Sequence, residues 1–267
     1  MKQVTWSRPD GLEYWHITDD LIDKGGHLLI GGKTGSGKSV VINDYLYSLT
    51  ARRTPASARF VLIDPKRVEL KAWAATPFCW IYANEQSAII SALDAVIAEM
   101  EDRYRRMENS FQRLYSGSEI WVVVDELGDL MTTCRRDFLP RMQRIAQLGR
   151  AARINLICGT QSPSRKTIPA ELTLNFTHQL ALNCRSAIES KQIIGIAGAE
   201  TLPRYGVGLM NDPTNGVRML KIPMTSDNEI YERIRVWQDP ARKHVQRTNL
   251  LKRMFLLLTR EYPATCG

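Results

Sequence analysis

The sequence predicts an α/β fold in which helices cover both faces of a mainly parallel sheet. Two observations carry this prediction. Four short runs are continuously apolar, which is typical of strands buried on both faces. Helical stretches separate these runs, and strands that alternate with helices form a parallel sheet. The runs are HLLIGG at 27–32, RFVLID at 59–64, IWVVVDE at 120–126 and INLICGT at 154–160.

The longest predicted helix covers residues 87–115, before the third run. Its apolar residues recur at intervals of three and four, so one face is expected to pack on the sheet rather than in a coiled coil. Glu99 and Arg103 form an i,i+4 pair on another face, and Asp102 and Arg106 form a second. The apolar positions are Leu93, Ile97, Met100, Tyr104, Met107, Phe111 and Leu114.

A further strand is predicted within FTHQLALNC, at 176–184. It is followed by a C-terminal β-hairpin whose arms are GVGLM and VRMLKI, with NDPTNG at the turn. The strand–helix pattern therefore extends over residues 24–238, which we predict to be one domain. Residues 1–23 form a short N-terminal extension.

Residues 239–267 form a basic, locally amphipathic tail outside this pattern. The tail could bind DNA, a partner or an anionic membrane surface, and the simpler alternative is that it docks on its own domain.

Composition restricts the class of protein. The 267 residues are 44% hydrophobic and 24% charged, as in an ordinary soluble protein. No apolar stretch approaches the roughly 20 residues that span a bilayer, and the N-terminus lacks an apolar signal core, so a cytoplasmic location is expected. Five scattered cysteines without a C-x-x-C motif predict reduced thiols, mostly buried, and neither disulfides nor zinc. The net charge of +8 favours a polyanionic partner, although a merely basic surface would give the same value.

The first apolar run leads into a phosphate-binding motif that fits G-x-x-x-x-G-K-[ST] in full. Its glycines let backbone N–H groups face phosphates, and the following helix adds its positive end. Lys38 is expected to reach the β- and γ-phosphates of ATP, and the Ser39 hydroxyl is expected to ligate Mg²⁺. The predicted nucleotide-binding residues are Gly32, Lys33, Thr34, Gly35, Ser36, Gly37, Lys38, Ser39 and Val40.

The third run ends in a pair of carboxylates. Asp125 is placed to hold Mg²⁺, and Glu126 to orient or polarise an attacking water. An enzyme that passes phosphate to a substrate must avoid activating water, so Glu126 favours hydrolysis. The RFVLID strand is expected to lie between the lysine strand and the aspartate strand of the sheet.

The fourth run ends in Thr160 and Gln161, and a polar side chain here could sense the γ-phosphate or water. A basic stretch precedes it, with arginines that by themselves indicate only a solvated helix face. These arginines are Arg144, Arg150 and Arg153.

Six stretches in order along the chain resemble the motor domain of FtsK/SpoIIIE DNA translocases, within the HerA/FtsK group of RecA-like P-loop ATPases. The resemblance covers about residues 24–238. The stretches are HLLIGGKTGSGKSV, LIDPKRVEL, AEMEDRYRRM, VVVDELGDLM, RIAQLGRAARINLICGTQSPS and IAGAETLPRYGVGLM.

This resemblance implies a RecA-like fold and a ring, usually a hexamer, with ATP bound between subunits. Arg150 falls on the position of the family's arginine finger, which acts from the neighbouring subunit. Gln161 falls on the family's sensor glutamine. DNA would be gripped by two loops that line the pore of the ring.

The first pore loop corresponds to residues 161–172. The family commonly has arginine at the position of Ser162 and lysine near Thr173, and both are missing here. Arg165 and Lys166 lie between these positions and could substitute.

The second loop corresponds to residues 183–192. Lys191 matches a basic position of the family, Ala187 does not, and Arg185 is a further candidate.

We expect neither the family's membrane anchor nor its winged-helix module, and therefore a single-domain motor in plasmid, conjugative-element or phage DNA handling. The leading hypothesis is a MgATP-driven translocase of DNA, with double-stranded DNA favoured. A related ATPase that acts on a protein partner, in secretion or conjugative coupling, is one alternative. A nucleotide-switched assembly protein is another.

Overall fold

The computed structural model describes residues 25–164, 167–222 and 224–238. The predicted extension at 1–23 and the predicted basic tail at 239–267 lie outside these ranges. The strands are β1 His27–Gly31, β2 Ala58–Ile63, β3 Cys79–Ala83, β4 Glu119–Val124, β5 Ile154–Thr160, β6 His178–Ala181, β7 Val207–Asp212 and β8 Gly216–Lys221. The helices are α1 Lys38–Arg52, α2 Lys71–Ala74, α3 Gln86–Asn109, α4 Leu127–Thr133, α5 Arg135–Leu148, α6 Ala170–Thr173, α7 Ala187–Ile194 and α8 Asp227–Gln238, with a short 3₁₀ helix at Ala199–Thr201.

The described strands form one eight-stranded sheet in the order β3-β2-β4-β5-β1-β6-β7-β8. The first six of these strands pair in parallel, and β7 and β8 complete the sheet as an antiparallel hairpin. The predicted α/β fold with a C-terminal β-hairpin is confirmed. Strand β3 was not among the predicted strands, and four of its five residues are only partly buried.

The order of the central strands differs from the prediction. One strand does separate β1 from β4, but it is β5, whereas β2 lies on the far side of β4. The prediction that RFVLID occupies the middle position is therefore wrong. All of these strands are continuously apolar, so their sequences alone do not distinguish a central position from the adjacent one.

Helices cover both faces of the sheet, as predicted. Alternate residues of each strand enter opposite layers: Leu29 packs in the layer of α3 and α5, while Leu28 and Ile30 pack in the layer of α1 and α8. This double burial explains why the four central strands β1, β2, β4 and β5 are apolar at most positions.

Helix α3 ends earlier than predicted. It stops at Asn109, and Phe111 adopts a left-handed backbone with φ +54°, a conformation that commonly terminates helices. Phe111 and Leu114 are therefore exposed, and the prediction that they continue the packed face is wrong. Leu93, Met100 and Met107 are buried as expected, and Ile97 and Tyr104 pack partly buried against the same layer.

Both predicted ion pairs of α3 are present, Glu99–Arg103 and Asp102–Arg106, and Arg103 makes further contacts. Its side chain is fully buried, and its Nη1 donates to the carbonyl oxygens of Ser118 and Ala152, each at 2.8 Å. Its Nε bonds Glu99 at 3.0 Å. Arg103 thus satisfies the backbone that leads into β4 and β5, a role that helical spacing does not reveal.

The four cysteines within the described ranges are free thiols, and three of them are buried. None of the helices there combines the length and the apolar character that crossing a lipid bilayer requires.

Buried Asp44 of α1 makes the stability of this packing sensitive to pH. Burial raises the pKa of its carboxyl to about 6, opposed by a hydrogen bond from Thr225 and supported by the charge of Glu229. Between its ordinary pKa and 6, the folded protein holds a proton that the unfolded chain releases, so this group's contribution to stability falls as pH rises.

We therefore predict that Asp44→Asn stabilises the protein at pH 8 by about 1 to 3 kcal/mol, because no charge remains to be buried. The advantage over the unsubstituted chain should shrink towards pH 4, where Asp44 is protonated in the folded state and the unfolded chain is only partly ionised at this residue. Urea unfolding at pH 4, 6 and 8 measures it. An advantage that is the same at all three pH values would contradict the assignment.

Candidate functional site

The nucleotide motif occupies the turn between β1 and α1. Gly35 and Gly37 adopt φ of +73° and +98°, which residues with a Cβ rarely take. The turn is fixed from both sides, since Gly32 N–H donates to the carbonyl of Thr160 at 3.2 Å and Lys33 N–H to that of Asn183 at 2.9 Å. Helix α1 begins at Lys38, so its first N–H groups, which have no acceptor within the helix, open onto this turn. The arrangement fits a polyphosphate.

Lys38 joins the turn to the end of β4. Its Nζ lies 2.6 Å from the carbonyl oxygen and 2.5 Å from Oδ1 of Asp125, and both side chains are nearly inaccessible to solvent. The side chain reaches Asp125 by passing over Gly159 of β5, where a Cβ would lie 2.9 Å from Lys38 Cδ. Phosphate oxygens would compete with Asp125 for the same ammonium group.

Glu126 is held at the start of α4. Its carboxylate accepts hydrogen bonds from the N–H groups of Gln161, at 3.0 and 3.2 Å, and Gly128, at 3.3 Å. Burial raises the pKa of Glu126, while the Gln161 N–H and the charges of Lys38 and Lys66 act in the opposite direction. A carboxylate with a raised pKa is a stronger base towards water than an ordinary one.

Gln161 connects this carboxylate to the phosphate-binding turn. While its backbone bonds Glu126, its side-chain Oε1 accepts a hydrogen bond from Thr34 Oγ1 at 3.0 Å. The predicted sensor residue therefore touches both the turn that would hold ATP and the carboxylate that would act on water.

Lys66 is a residue of this site that sequence reasoning missed. Its Nζ lies 3.7 Å from Glu126 Oε2 and 3.4 Å from Asp129 Oδ2. Partial burial disfavours the charged form of Lys66, but these carboxylates outweigh it and raise its pKa. Lys66 lies two residues after the buried Asp64, just beyond the end of β2. Because β2 and β4 end at the same edge of a parallel sheet, this position could have indicated that Lys66 lies near Glu126.

The predicted metal ligands, Ser39 and Asp125, both offer oxygen, the donor that Mg²⁺ prefers. Mg²⁺ usually takes only one or two protein ligands and completes its shell with water and substrate phosphates. The donor set at the β1 and β4 ends fits that pattern. Within the described ranges no group of three or more acidic, histidine or cysteine side chains could hold a metal.

Arg150 lies away from this site. It precedes β5, at the sheet edge opposite the nucleotide motif. His27 lies at this edge too, at the start of β1, and its pKa is lowered mainly by burial and further by the charge of Arg150. Strand β5 has seven residues and spans about 20 Å. Arg150 is exposed and has no carboxylate partner among the described residues. Its neighbours differ: Arg144 bonds Glu101 at 2.7 Å, and Arg153 pairs with Glu119.

The predicted DNA-binding residues are only partly described. Arg165 and Lys166 lie outside the described residues. Arg185 and Lys191 are exposed, Arg185 just before α7 and Lys191 within it.

Comparisons with known proteins show which families and folds the chain resembles. The family model described as "FtsK/SpoIIIE family" matches residues 3–119. "DNA translocase FtsK" from Chlorobaculum tepidum is 38% identical over 206 residues, which are 70% of this chain and 26% of that protein. The protein of the same name from Agrobacterium fabrum is 32% identical over 252 residues, covering 77% and 28% of the two chains. The chain thus spans about a quarter of the length of these relatives.

Solved structures share the fold at lower identity. The pCW3 conjugation coupling protein TcpA, in its monomer form with ATPgS, superimposes with a TM-score of 0.71 and 22% identity, over 82% of this chain and 66% of that one. The type VII secretion ATPase EccC from Thermomonospora curvata gives 0.68 and 21%, over 80% and 28%. These likenesses confirm the RecA-like P-loop ATPase fold. The family model and the FtsK relatives show that the chain is similar to the FtsK/SpoIIIE family.

Proposed function

We propose that this protein hydrolyses ATP and uses the energy to translocate DNA, double-stranded by preference, through a hexameric ring. The observation that carries the proposal is the joining of Glu126, Gln161 and Thr34 by hydrogen bonds beside the Lys38–Asp125 pair. A fixed carboxylate next to a phosphate-binding turn is what hydrolysis requires and what a passive nucleotide switch can lack.

In this mechanism the turn and the N-terminus of α1 bind the phosphates, and Lys38 moves its hydrogen bonds from Asp125 to the β- and γ-phosphates. Ser39 and Asp125 would hold Mg²⁺, which neutralises charge that develops on the phosphate oxygens. Glu126, fixed by two backbone N–H groups, accepts the proton of the attacking water. Gln161 bonds Thr34 of the phosphate-binding turn and also Glu126, and so couples the state of the phosphate to the position of Glu126.

Arg150 completes the site from another copy of the chain. Because it lies at the opposite edge of its own sheet, about 20 Å from the nucleotide motif, it cannot reach its own γ-phosphate. In a ring the corresponding edge of one copy faces the nucleotide site of the next, and an arginine finger there stabilises transition-state charge.

The DNA assignment rests on the name carried by the FtsK relatives and on the net charge of +8. Arg165, Lys166, Arg185 and Lys191 are proposed to contact backbone phosphates, a grip that needs no reading of bases. Plasmid, conjugative-element or phage DNA is the proposed cargo.

We predict that long double-stranded DNA stimulates steady-state ATP hydrolysis, and that rising salt weakens the apparent affinity for DNA as counterions compete for the phosphates. Glu126→Gln should lower kcat by about 10² to 10⁴ because the base is lost. Hydrolysis with and without DNA, at low and moderate salt, measures both effects. Glu108→Gln, at an exposed position of α3, is the matched control and should keep full turnover.

Equal turnover with and without DNA would contradict the translocase and would favour an ATPase that acts on a protein partner. Turnover that stays negligible with every nucleic acid would favour an assembly switch. An unchanged rate in Glu126→Gln would contradict its role as the base.

We also predict that Arg150→Ala and Glu126→Gln chains, each inactive alone, recover activity when mixed. In an equal mixture about a quarter of the interfaces pair an intact Glu126 with an intact Arg150 of the neighbour. ATP hydrolysis by the mixture, compared with each variant alone, is the measurement. Arg136→Ala, at an exposed position of α5, should remain active by itself. No recovery, or full activity of Arg150→Ala alone, would contradict an arginine that acts between copies.

A further inference from the structure

Arg204 packs against Gly35 of the phosphate-binding turn. A Cβ built on Gly35 would lie 3.1 Å from Arg204 Nη2 and 3.8 Å from Nε, so the guanidinium rests directly against this glycine. Arg204 follows the 3₁₀ helix Ala199–Thr201 and precedes β7, at the sheet edge where β1 and β5 end. An arginine thus lies beside the turn although it is remote from it in sequence.

One buried residue anchors both the turn and the segment that carries Arg204. The carbonyl of Asn183 accepts the N–H of Lys33 at 2.9 Å, and its side-chain Nδ2 donates to the carbonyl of Leu202 at 2.6 Å. Asn183 is 4% exposed. These two hydrogen bonds hold the turn and the segment around Leu202 close together, and this places Arg204 beside the turn.

The guanidinium is available for an anion. No carboxylate pairs with Arg204 among the described residues, and the side chain is exposed. Its Cζ lies 5.2 Å from the centroid of the Tyr205 ring, a contact that restricts the side chain without neutralising its charge.

Thr34 and Gly35 of the turn lie on the side of the site where hydrolysis would occur. Thr34, next to Gly35, bonds Gln161, and the backbone of Gln161 bonds Glu126. A nucleotide held by this turn, with its terminal phosphate close to Glu126, has that phosphate on the side of Thr34 and Gly35. Arg204 is on the same side.

We propose that Arg204 binds the terminal phosphate of ATP held in the same chain, and that it makes the site prefer ATP to ADP. This inference rests on the proposed ATP binding and adds a residue to it. A guanidinium donates two parallel hydrogen bonds to phosphate oxygens, which suits a group that recognises a phosphate rather than a base. Its position in the same chain distinguishes it from Arg150, which is proposed to act from a neighbour.

The test is isothermal titration of MgATP and MgADP into the Glu126→Gln protein, which keeps ATP intact, with and without Arg204→Ala. We expect Arg204→Ala to weaken ATP binding about 10- to 100-fold, the range for a lost charge-assisted hydrogen bond. ADP binding should change less than about threefold. Arg204→Lys should recover part of the ATP affinity, because it keeps the charge but not the paired donors.

Arg113→Ala, at an exposed position before β4 and at the opposite sheet edge, is the matched control and should bind both nucleotides normally. Equal weakening of ATP and ADP, or no weakening of either, would overturn the inference while leaving ATP binding itself intact. Failure of the parent Glu126→Gln protein to bind ATP would overturn the proposed function and this inference together.

A second measurement separates action within a chain from action between chains. Lys38→Ala chains, which carry an intact Arg204 but are expected not to bind ATP, are added to Arg204→Ala chains on the Glu126→Gln background. ATP affinity should stay weak if Arg204 serves its own chain. Recovery of tight binding in the mixture would overturn the inference and would assign Arg204 to the neighbouring site.

Discussion

The common register of three parallel strands is the constraint on which the site depends. In β1 and β5, Gly31 pairs with Thr160, and in β4 and β5, Val124 pairs with Cys158. The three strands therefore end within one or two residues of each other. This register brings the phosphate-binding turn, Gln161 and the Asp125–Glu126 pair, each of which lies just beyond a strand end, to one edge of the sheet.

Hydrogen bonds at this edge combine the three strand ends into one unit. Lys38 crosses Gly159 to reach Asp125, and Gln161 bonds both Thr34 and Glu126. A nucleotide that draws Lys38 away from Asp125 would change contacts in all three segments at once. The fold thus offers a direct physical route from the presence of a γ-phosphate to the position of Glu126, the proposed base.

Much of this could be predicted from the sequence, since the strands, the nucleotide motif, Asp125 and Glu126 are local patterns whose meaning does not depend on distant contacts. The place of β2 in the sheet was predicted wrongly, and the burial of Arg103 was not predicted, because both depend on which neighbours the fold supplies. Lys66 and Arg204 lie in stretches that resemble the family, yet their proximity to Glu126 and Gly35 arises only when remote segments meet.

Under the proposed function, the same geometry leaves the site incomplete within one chain, because Arg150 lies at the far edge of the sheet. The most direct test of this central claim is the rate of ATP hydrolysis per chain, in the presence of long duplex DNA, as protein concentration is raised. A site completed by a neighbour predicts that the rate per chain rises to a plateau, and that Arg150→Ala stays low throughout. A rate per chain that is independent of concentration down to the most dilute protein, and unchanged by Arg150→Ala, would contradict the account.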